Sequence, residues 1–498
     1  MNLIDLFAIA GQRTPNKSAL RFASAGAHAD YTYAELFAAA DRLAAGLQAW
    51  GLVKGDRVAF FMDNRPEFVV AYLAVIRLGA SMVPINLRYR RLEIRHMVAD
   101  SAPRLIVTEA ALCDVLADAG YGRGDDLPLL LAEEIAAWER PASDLQGPVV
   151  CADDPALIMY TSGTTGRSKG AVLSHNNVLA SVTGLLAAWG WQADDRLLLV
   201  LPLFHTHGLT VGLHCALAAG ATVLLRTKYE AGRTLDELLS GAPTMFFAVP
   251  TIYVRLVDEL RGRGRVSLPQ MRLFCSGSAP LPADTLLTFA QLTGHTILER
   301  YGMTETGMNL SNPYAGERIA GSVGTPLPGV DMRIVDGQGR DVAPGAEGEV
   351  LVRGSNVFSG YWNAPDKTAE SFSHDELGRR WFHTGDLARQ DPSTGYVTLL
   401  GRKHELIISG GFNIYPREIE ELLTTFDGVV EAAVVGMPHP EWGEVPVAYL
   451  VCAAEPDAPA LTAYCRVRLA SFKVPKHFYR VDSLPRNAMG KLQKHLLR

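Results

Sequence analysis

Along the first half of the chain, apolar residues follow two periods in turn. Leu36, Leu43 and Leu47 recur at helical intervals behind Thr32 and Glu35, which stand at capping-box spacing and predict a helix start. The apolar run Arg57 to Met62 predicts a strand, Pro66 to Leu78 a helix and Ser81 to Ile85 another strand. Strand, helix and strand in this order imply a mostly parallel sheet with helices on its faces. The same grammar returns at Ala156 to Tyr160, Thr222 to Leu225, Thr244 to Val249 and Met271 to Ser276. From about Ser322 helices become rare, and Gly- and Pro-bounded segments such as Met332 to Val335, Gly348 to Arg353 and Tyr396 to Leu400 predict a β-rich subdomain. After Gly401 a shorter mixed pattern predicts helices near Pro416 to Thr425 and Ala460 to Ala470, with strands at Val429 to Val435 and Val445 to Cys452. The expected class is α/β. A large N-terminal body, 1–400, has mostly parallel sheets flanked by helices and a β-rich subdomain over about 322–400; a small α+β C-terminal unit, 401–498, joins it near 401–405.

Composition narrows the function. A length of 498 residues suggests about three compact units. With 47 basic against 53 acidic residues the net charge is −6, which lacks the basic field that nucleic-acid binding exploits. The one dense basic stretch, Arg88, Arg90, Arg91 and Arg95, reads as a solvated helix face. Six cysteines lie far apart without a CxxC pair, against a disulfide framework or a zinc site and in favour of a reducing compartment. The start lacks a basic n-region, and no apolar run approaches the roughly 20 residues of a membrane span, so a cytoplasmic protein without membrane partners is expected.

The segment Tyr160 to Gly170 sets three glycines, several hydroxyls, Arg167 and Lys169 into one turn between apolar strands. Glycines let backbone amides curl around an anion, hydroxyls donate further bonds and Lys169 adds charge, a combination suited to phosphate. The spacing is not that of a Walker loop. Gly166 to Gly170 also fits G-x-S-x-G, but that nucleophile elbow must open a helix, whereas Ala171 to Leu173 continues as a strand. A flexible linker is the bland alternative, and the flanking strands argue against it.

Tyr160 to Gly170 resembles the phosphate loop of the adenylate-forming superfamily of acyl-CoA synthetases, firefly-type luciferases and peptide-synthetase adenylation domains. Further signatures of that superfamily follow in order: Phe204 to Gly208, Ser276 to Pro280, Glu299 to Glu305, Thr384 to Asp386, Gly401-Arg402 and Pro485 to Lys491. The resemblance implies that a carboxylate attacks the α-phosphorus of ATP, giving acyl-AMP and pyrophosphate, after which CoA displaces AMP. It implies Mg²⁺ at Glu305 and Thr165, with Thr304 on a phosphate oxygen. Thr161, Ser162, Gly163, Thr164, Thr165, Gly166 and Lys169 would surround the phosphates. Gly277 to Pro280, including Ser278 and Ala279, would line the adenine with Tyr301, Gly302 would belong to the nucleotide site, Asp386 would accept the ribose hydroxyls and Arg402 would reach the same nucleotide. Lys491 would bridge the two anions of the first step, and His205 would gate the acyl tunnel. The C-terminal unit would turn about a hinge at His404, where Asp or Lys is usual, and bring Gly410 and Gly411 to the CoA tunnel. Lys491 is also a candidate target for a lysine acyltransferase.

The acyl site decides the substrate. Arg300 stands where fatty and aromatic acyl ligases carry a small or neutral residue, and Arg255 and His207 are expected beside it, making the pocket positive. A buried arginine needs a partner, and a second carboxylate on the substrate would supply one. The runs Phe204 to Leu209, Glu299 to Glu305 and Asn309 to Tyr314, with Arg255, are more similar to malonyl-CoA synthetases than to fatty acyl, acetyl or coumaroyl ligases. Malonate or methylmalonate is the expected acid. The alternatives are a ligase for another short or medium carboxylate, a stand-alone adenylating enzyme that loads a carrier protein, and a nucleotide-binding protein without catalysis.

Overall fold

The computed structural model describes the chain apart from residues 25, 163–167, 280, 403–406, 415, 453, 486–493 and 498; at 162, 401, 402, 413, 417, 421 and 495 it describes the backbone only. Two large sheets form the body. In the nine-stranded one, Ser18–Ser24, Thr222–Leu225, Arg196–Leu199, Met245–Ala248, Leu273–Ser276 and Leu298–Met303 run parallel, with antiparallel strands at either edge. The seven-stranded sheet is parallel through Leu129–Leu131, Leu105–Thr108, Arg57–Phe61, Ser81–Pro84 and Pro155–Ser162. Strands such as Met245–Ala248 are buried on both faces, which is why they read as continuous apolar runs.

The predicted capping box is present: Thr32 accepts from the Glu35 amide, Glu35 answers at the Thr32 amide, and the helix Tyr33–Trp50 ends on Gly51 in the left-handed region. Pro66–Arg77 is buried almost all round and stacks on Tyr33–Trp50 as the centre of the main core.

The β-rich stretch departs from a separate subdomain in one respect. Most of its strands make an antiparallel five-stranded sheet, but Gly360–Tyr361 pairs with Ser168–Ser174 in the seven-stranded sheet, and Thr325–Pro326 joins the edge of the nine-stranded one. These two short strands tie the stretch to the body. Beyond residue 407 a fourth sheet is built from Ile407–Ser409, Phe412–Ile414, Val429–His439, Gly443–Cys452 and His477–Arg480. Ile407, Ile419, Leu423, Val434, Leu450 and Leu461 form its own core, backed by the helices Pro416–Leu423 and Ala458–Arg468. Among the described residues no helix is long and apolar enough to cross a membrane.

Candidate active site

The strands Pro155–Ser162 and Ser168–Ser174 pair antiparallel on either side of the glycine-rich loop, with Thr161 opposite Lys169. The base of this hairpin is braced by the helix Arg91–Ser101: the Tyr160 hydroxyl donates to Asp100 at 2.5 Å, and His96 Nε2 lies 2.7 Å from the Ser168 carbonyl. Burial, and then Asp100, push the Tyr160 phenol well above its ordinary range. Thr161 donates to Glu305 Oε1 at 3.0 Å, and the Tyr361 hydroxyl reaches the same oxygen at 3.1 Å. Glu305 is buried in the turn after Leu298–Met303, so both sheets aim at one carboxylate. Lys169 is half-buried over the Tyr361 ring, and burial lowers its pKa against the pull of Glu305.

A second convergence joins Tyr301 and Asp386. The Tyr301 phenol donates to Asp386 Oδ2 at 2.5 Å. Asp386 follows a turn in which Gly385 has φ 70°, the Gly385 amide donates to Glu349, and the Asp386 amide donates to Thr384 Oγ1. Arg402 sits opposite Asp386 in the ladder.

A third group is buried and under-partnered. Arg300 is 3% exposed, with Nε and Nη2 unpaired among the described residues and the Cys275 thiol as its hydrogen-bond neighbour. Gly277 makes room for it, because a Cβ there would stand 2.5 Å from the guanidinium carbon. His207 is buried beside it, its Nδ1 3.4 Å from the Ser278 hydroxyl and its Nε2 without a partner among the described residues. Burial, then Arg300 and His205, hold its pKa well below the ordinary value, and His205 is lowered to about 4 by burial and then Arg88. His207–His214 is a π-helix whose second residue, Gly208, closely abuts the Pro202 carbonyl. Ser278 itself takes φ 76°, a conformation costly for a non-glycine residue.

Two expectations change here. Arg255 lies on the helix Pro250–Arg263, but Ile252, Tyr253, Leu256, Val257 and Leu260 take its inward face, and Arg255 points outward. Its guanidinium is 2.7 Å from Glu441 and 5.1 Å over the Trp442 ring, so its partners lie in the C-terminal sheet's unit and not beside Arg300. The basic stretch is solvated at Arg88, Arg91 and Arg95 but is not one helix face, since Arg88 and Arg90 precede the helix Arg91–Ser101: Arg88 lies 4.7 Å over the Phe412 ring, Arg90 donates to the Leu87 and Tyr89 carbonyls, and Arg95 to that of Ala119. Phe412 also faces His205 and stacks on Phe472 at 4.3 Å, Gly410 packs on Trp442, and Gly411 comes up against Val249.

Gly163, Thr164, Thr165, Gly166, His404 and Lys491 lie outside the described residues, as do the side chains of Ser162 and Arg402. Gly302, Thr304 and Ala279 are half-buried beside the groups above. Tyr361 was absent from the sequence reading; its only signal there is an aromatic pair, Tyr361-Trp362, directly after Gly360.

A hairpin flanking a glycine-rich segment, a shared carboxylate and a tyrosine–aspartate pair on this two-sheet body define an adenylate-forming enzyme. The chain belongs to the AMP-binding enzyme family, matching it over residues 7–362 and the AMP-binding enzyme C-terminal domain over 418–491. It is 38% identical to a feruloyl-CoA synthase of Amycolatopsis sp, over 93% of this chain and 92% of that one. It is 36% identical to the mitochondrial malonate–CoA ligase of Mus musculus, over 89% and 81%. Its relatives being CoA ligases, the protein is an acid–thiol ligase that works through an acyl adenylate. A malonyl-CoA ligase with methylmalonyl-CoA and AMP bound superposes with a TM-score of 0.82 at 37% identity, covering 95% of this chain and 97% of that one. The o-succinylbenzoate CoA synthetase of Bacillus subtilis, 32% identical, covers 99% of this chain in two complexes, with 98% of its own chain in one and 97% in the other. Its double mutant with a product analogue gives a TM-score of 0.88, and its complex with the acyl-adenylate intermediate gives 0.72.

Proposed function

We propose that this ligase activates malonate or its methyl-branched form: ATP gives malonyl-AMP and pyrophosphate, and CoA then takes the acyl group and releases AMP. Arg300 is the observation that carries this reading, a buried guanidinium with two nitrogens unpaired among the described residues. Burying a cation without a partner is costly, and an acid with a second carboxylate returns that cost on binding, whereas acetate leaves it in place. The difference corresponds to about two to three decades of selectivity at roughly 3 kcal/mol or more. Succinate, longer by one methylene, is rejected less strongly, by about 1–3 kcal/mol. The relatives named for malonate and for o-succinylbenzoate act on dicarboxylic acids, which supports the reading; the one named for feruloyl-CoA does not.

In this proposal Thr161, Lys169 and the loop 162–166 hold the phosphates, Asp386, Tyr301 and Arg402 the ribose, and Gly277, Ser278 and Ala279 the adenine. Lys491 neutralises the approach of carboxylate to phosphorus, and His205 stands at the tunnel mouth with Gly410 and Gly411 opposite. Mg²⁺ fits the donors: Glu305 offers a carboxylate beside two hydroxyls, and magnesium commonly takes one or two carboxylates plus substrate phosphates. Bound there, with Thr165 as a further donor in this proposal and Thr304 on a phosphate oxygen, the ion would neutralise phosphate charge.

The test is a CoA-dependent AMP-release assay on malonate, methylmalonate, succinate, acetate and ferulate, run on the wild type and on Arg300→Met. Malonate or methylmalonate should lead, and the substitution should erase that lead. Ferulate turned over faster than malonate, or an Arg300→Met enzyme with its malonate preference intact, would overturn the proposal.

A further inference from the structure

The helix Arg91–Ser101, which braces the phosphate-loop hairpin through Asp100 and His96, meets the C-terminal unit at its other end. Glu93, in its first turn, uses Oε2 to accept from the Arg90 amide at 2.8 Å. Its Oε1 accepts from the Ala470 amide at 3.0 Å and stands 3.5 Å from the Lys473 ammonium. Both side chains are buried, at 7% and 3% exposure. Lys473 is also held by both carboxylate oxygens of Glu418, at 2.9 and 2.8 Å, and lies 4.9 Å over the Tyr89 ring. Burial raises the Glu93 pKa against the pull of Lys473, while Glu418 raises it further.

We infer that Glu93 is a positioning residue for thioester formation: its contact with Lys473 and the Ala470 amide holds the C-terminal unit in the arrangement described here. Glu93 belongs to the body, and Lys473, Ala470 and Glu418 lie beyond residue 407, so the contact exists only while the two sit in this relation. The same relation sets Phe412 on His205 and Gly411 against Val249. Two complexes of the Bacillus subtilis synthetase are equally identical to this chain, yet the one with the product analogue fits much better than the one with the acyl adenylate. This chain is thus closer in shape to the double mutant with the product analogue than to the complex with the acyl adenylate.

The chemistry of the contact lets it open. If the unit turns, Lys473 keeps Glu418 and is never left as an unpaired buried cation. Glu93 alone loses partners, and it does so at a helix N-terminus, where the Arg90 amide and the helix dipole still favour its charge. An ion pair that strands neither charge can bias an equilibrium without locking it, whereas stranding a buried ion would be prohibitive.

The inference rests on the two-step adenylate reading, and separate half-reactions test it. Pyrophosphate exchange with ATP and malonate, without CoA, reports adenylation. Single-turnover CoA chase of enzyme preloaded with ATP, malonate and pyrophosphatase reports thioester formation. Glu93→Gln preserves volume and the cap acceptor while removing charge; Glu93→Ala removes both. The expected result is exchange within about twofold of wild type and a chase slowed by about tenfold in Glu93→Ala, less in Glu93→Gln, in the range of ordinary coupling between states. Small-angle scattering of both variants should show the C-terminal unit redistributed. A chase unchanged in both variants, or exchange and chase falling together in Glu93→Gln, would overturn the inference. A wild type that exchanges pyrophosphate but forms no thioester would instead overturn the ligase reading.

Discussion

Tyr301 donates to Asp386 across 2.5 Å, a bond between the nine-stranded sheet and the antiparallel sheet of the β-rich stretch. It also fixes one oxygen of the carboxylate proposed to hold the nucleotide ribose, before any nucleotide binds. Tyr301→Phe deletes the donor and keeps the ring in the core. The expected outcome is a KM for ATP raised about five- to tenfold, the worth of one hydrogen bond to a charged group, with the KM for the acid nearly unchanged. Initial-rate measurements with each substrate varied in turn check it; equal effects on both would mean that the bond serves folding rather than the nucleotide.

Arg300 sets function against stability. Its unpaired nitrogens are a cost of the empty protein, so Arg300→Met should unfold at the same denaturant midpoint or a higher one, by up to about 1–4 kcal/mol, while losing the preference for a dicarboxylic acid. Gly277→Ala should lose the same preference with the guanidinium still present, because the new methyl would occupy its place. Urea titration read beside the acid panel checks both, and a clear destabilisation of Arg300→Met would show that the guanidinium has a structural partner.

Glu305 receives the hydroxyls of Thr161 and Tyr361 on one oxygen. Glu305→Gln keeps the shape and removes the charge. Pyrophosphate exchange should fall by about 100-fold or more, and the Mg²⁺ concentration for half-maximal rate should rise. An unaltered magnesium dependence would remove Glu305 from the ion's site.

Three buried histidines and the half-buried His205 make stability depend on pH. Burial lowers His175 and His205 to about 4 and His214 to about 3, and holds His207 far down. Each is neutral when folded and titrates near its ordinary value of 6.5 when unfolded, so below that pH the unfolded chain binds more protons. Stability is therefore full above about pH 6.5 and falls as the pH drops toward 4, by on the order of 1.4 kcal/mol per pH unit for each histidine. His214 stacks on Tyr72 at 5.2 Å with both nitrogens unpaired among the described residues, so His214→Phe should raise stability and flatten the slope. Denaturant titrations at pH 7, 6 and 5 check it; an unchanged slope in the variant would count against the assignment.

The order of strands and helices was readable from apolar periodicity, because each element buries a face that its own residues mark. Ser81–Pro84 and Pro66–Arg77 emerge within a residue or two of where the pattern puts them. The hairpin at Thr161 and Lys169 was readable as well, since glycine and hydroxyl spacing around an anion is local chemistry. Three relations were not. Tyr361 reaches Glu305 because a two-residue strand of the β-rich stretch crosses into another sheet, and nothing near Tyr361 in the chain marks that pairing. Arg255 turns outward to Glu441 because the apolar side of its helix is claimed by the core, so a plausible neighbour of Arg300 became a contact of the C-terminal unit. Glu93 meets Lys473 only where the body and the C-terminal unit come together. Local patterns encode periods and turns; which distant groups share a desolvated space, and which charge is left there without a partner, is decided by the packing of the whole chain.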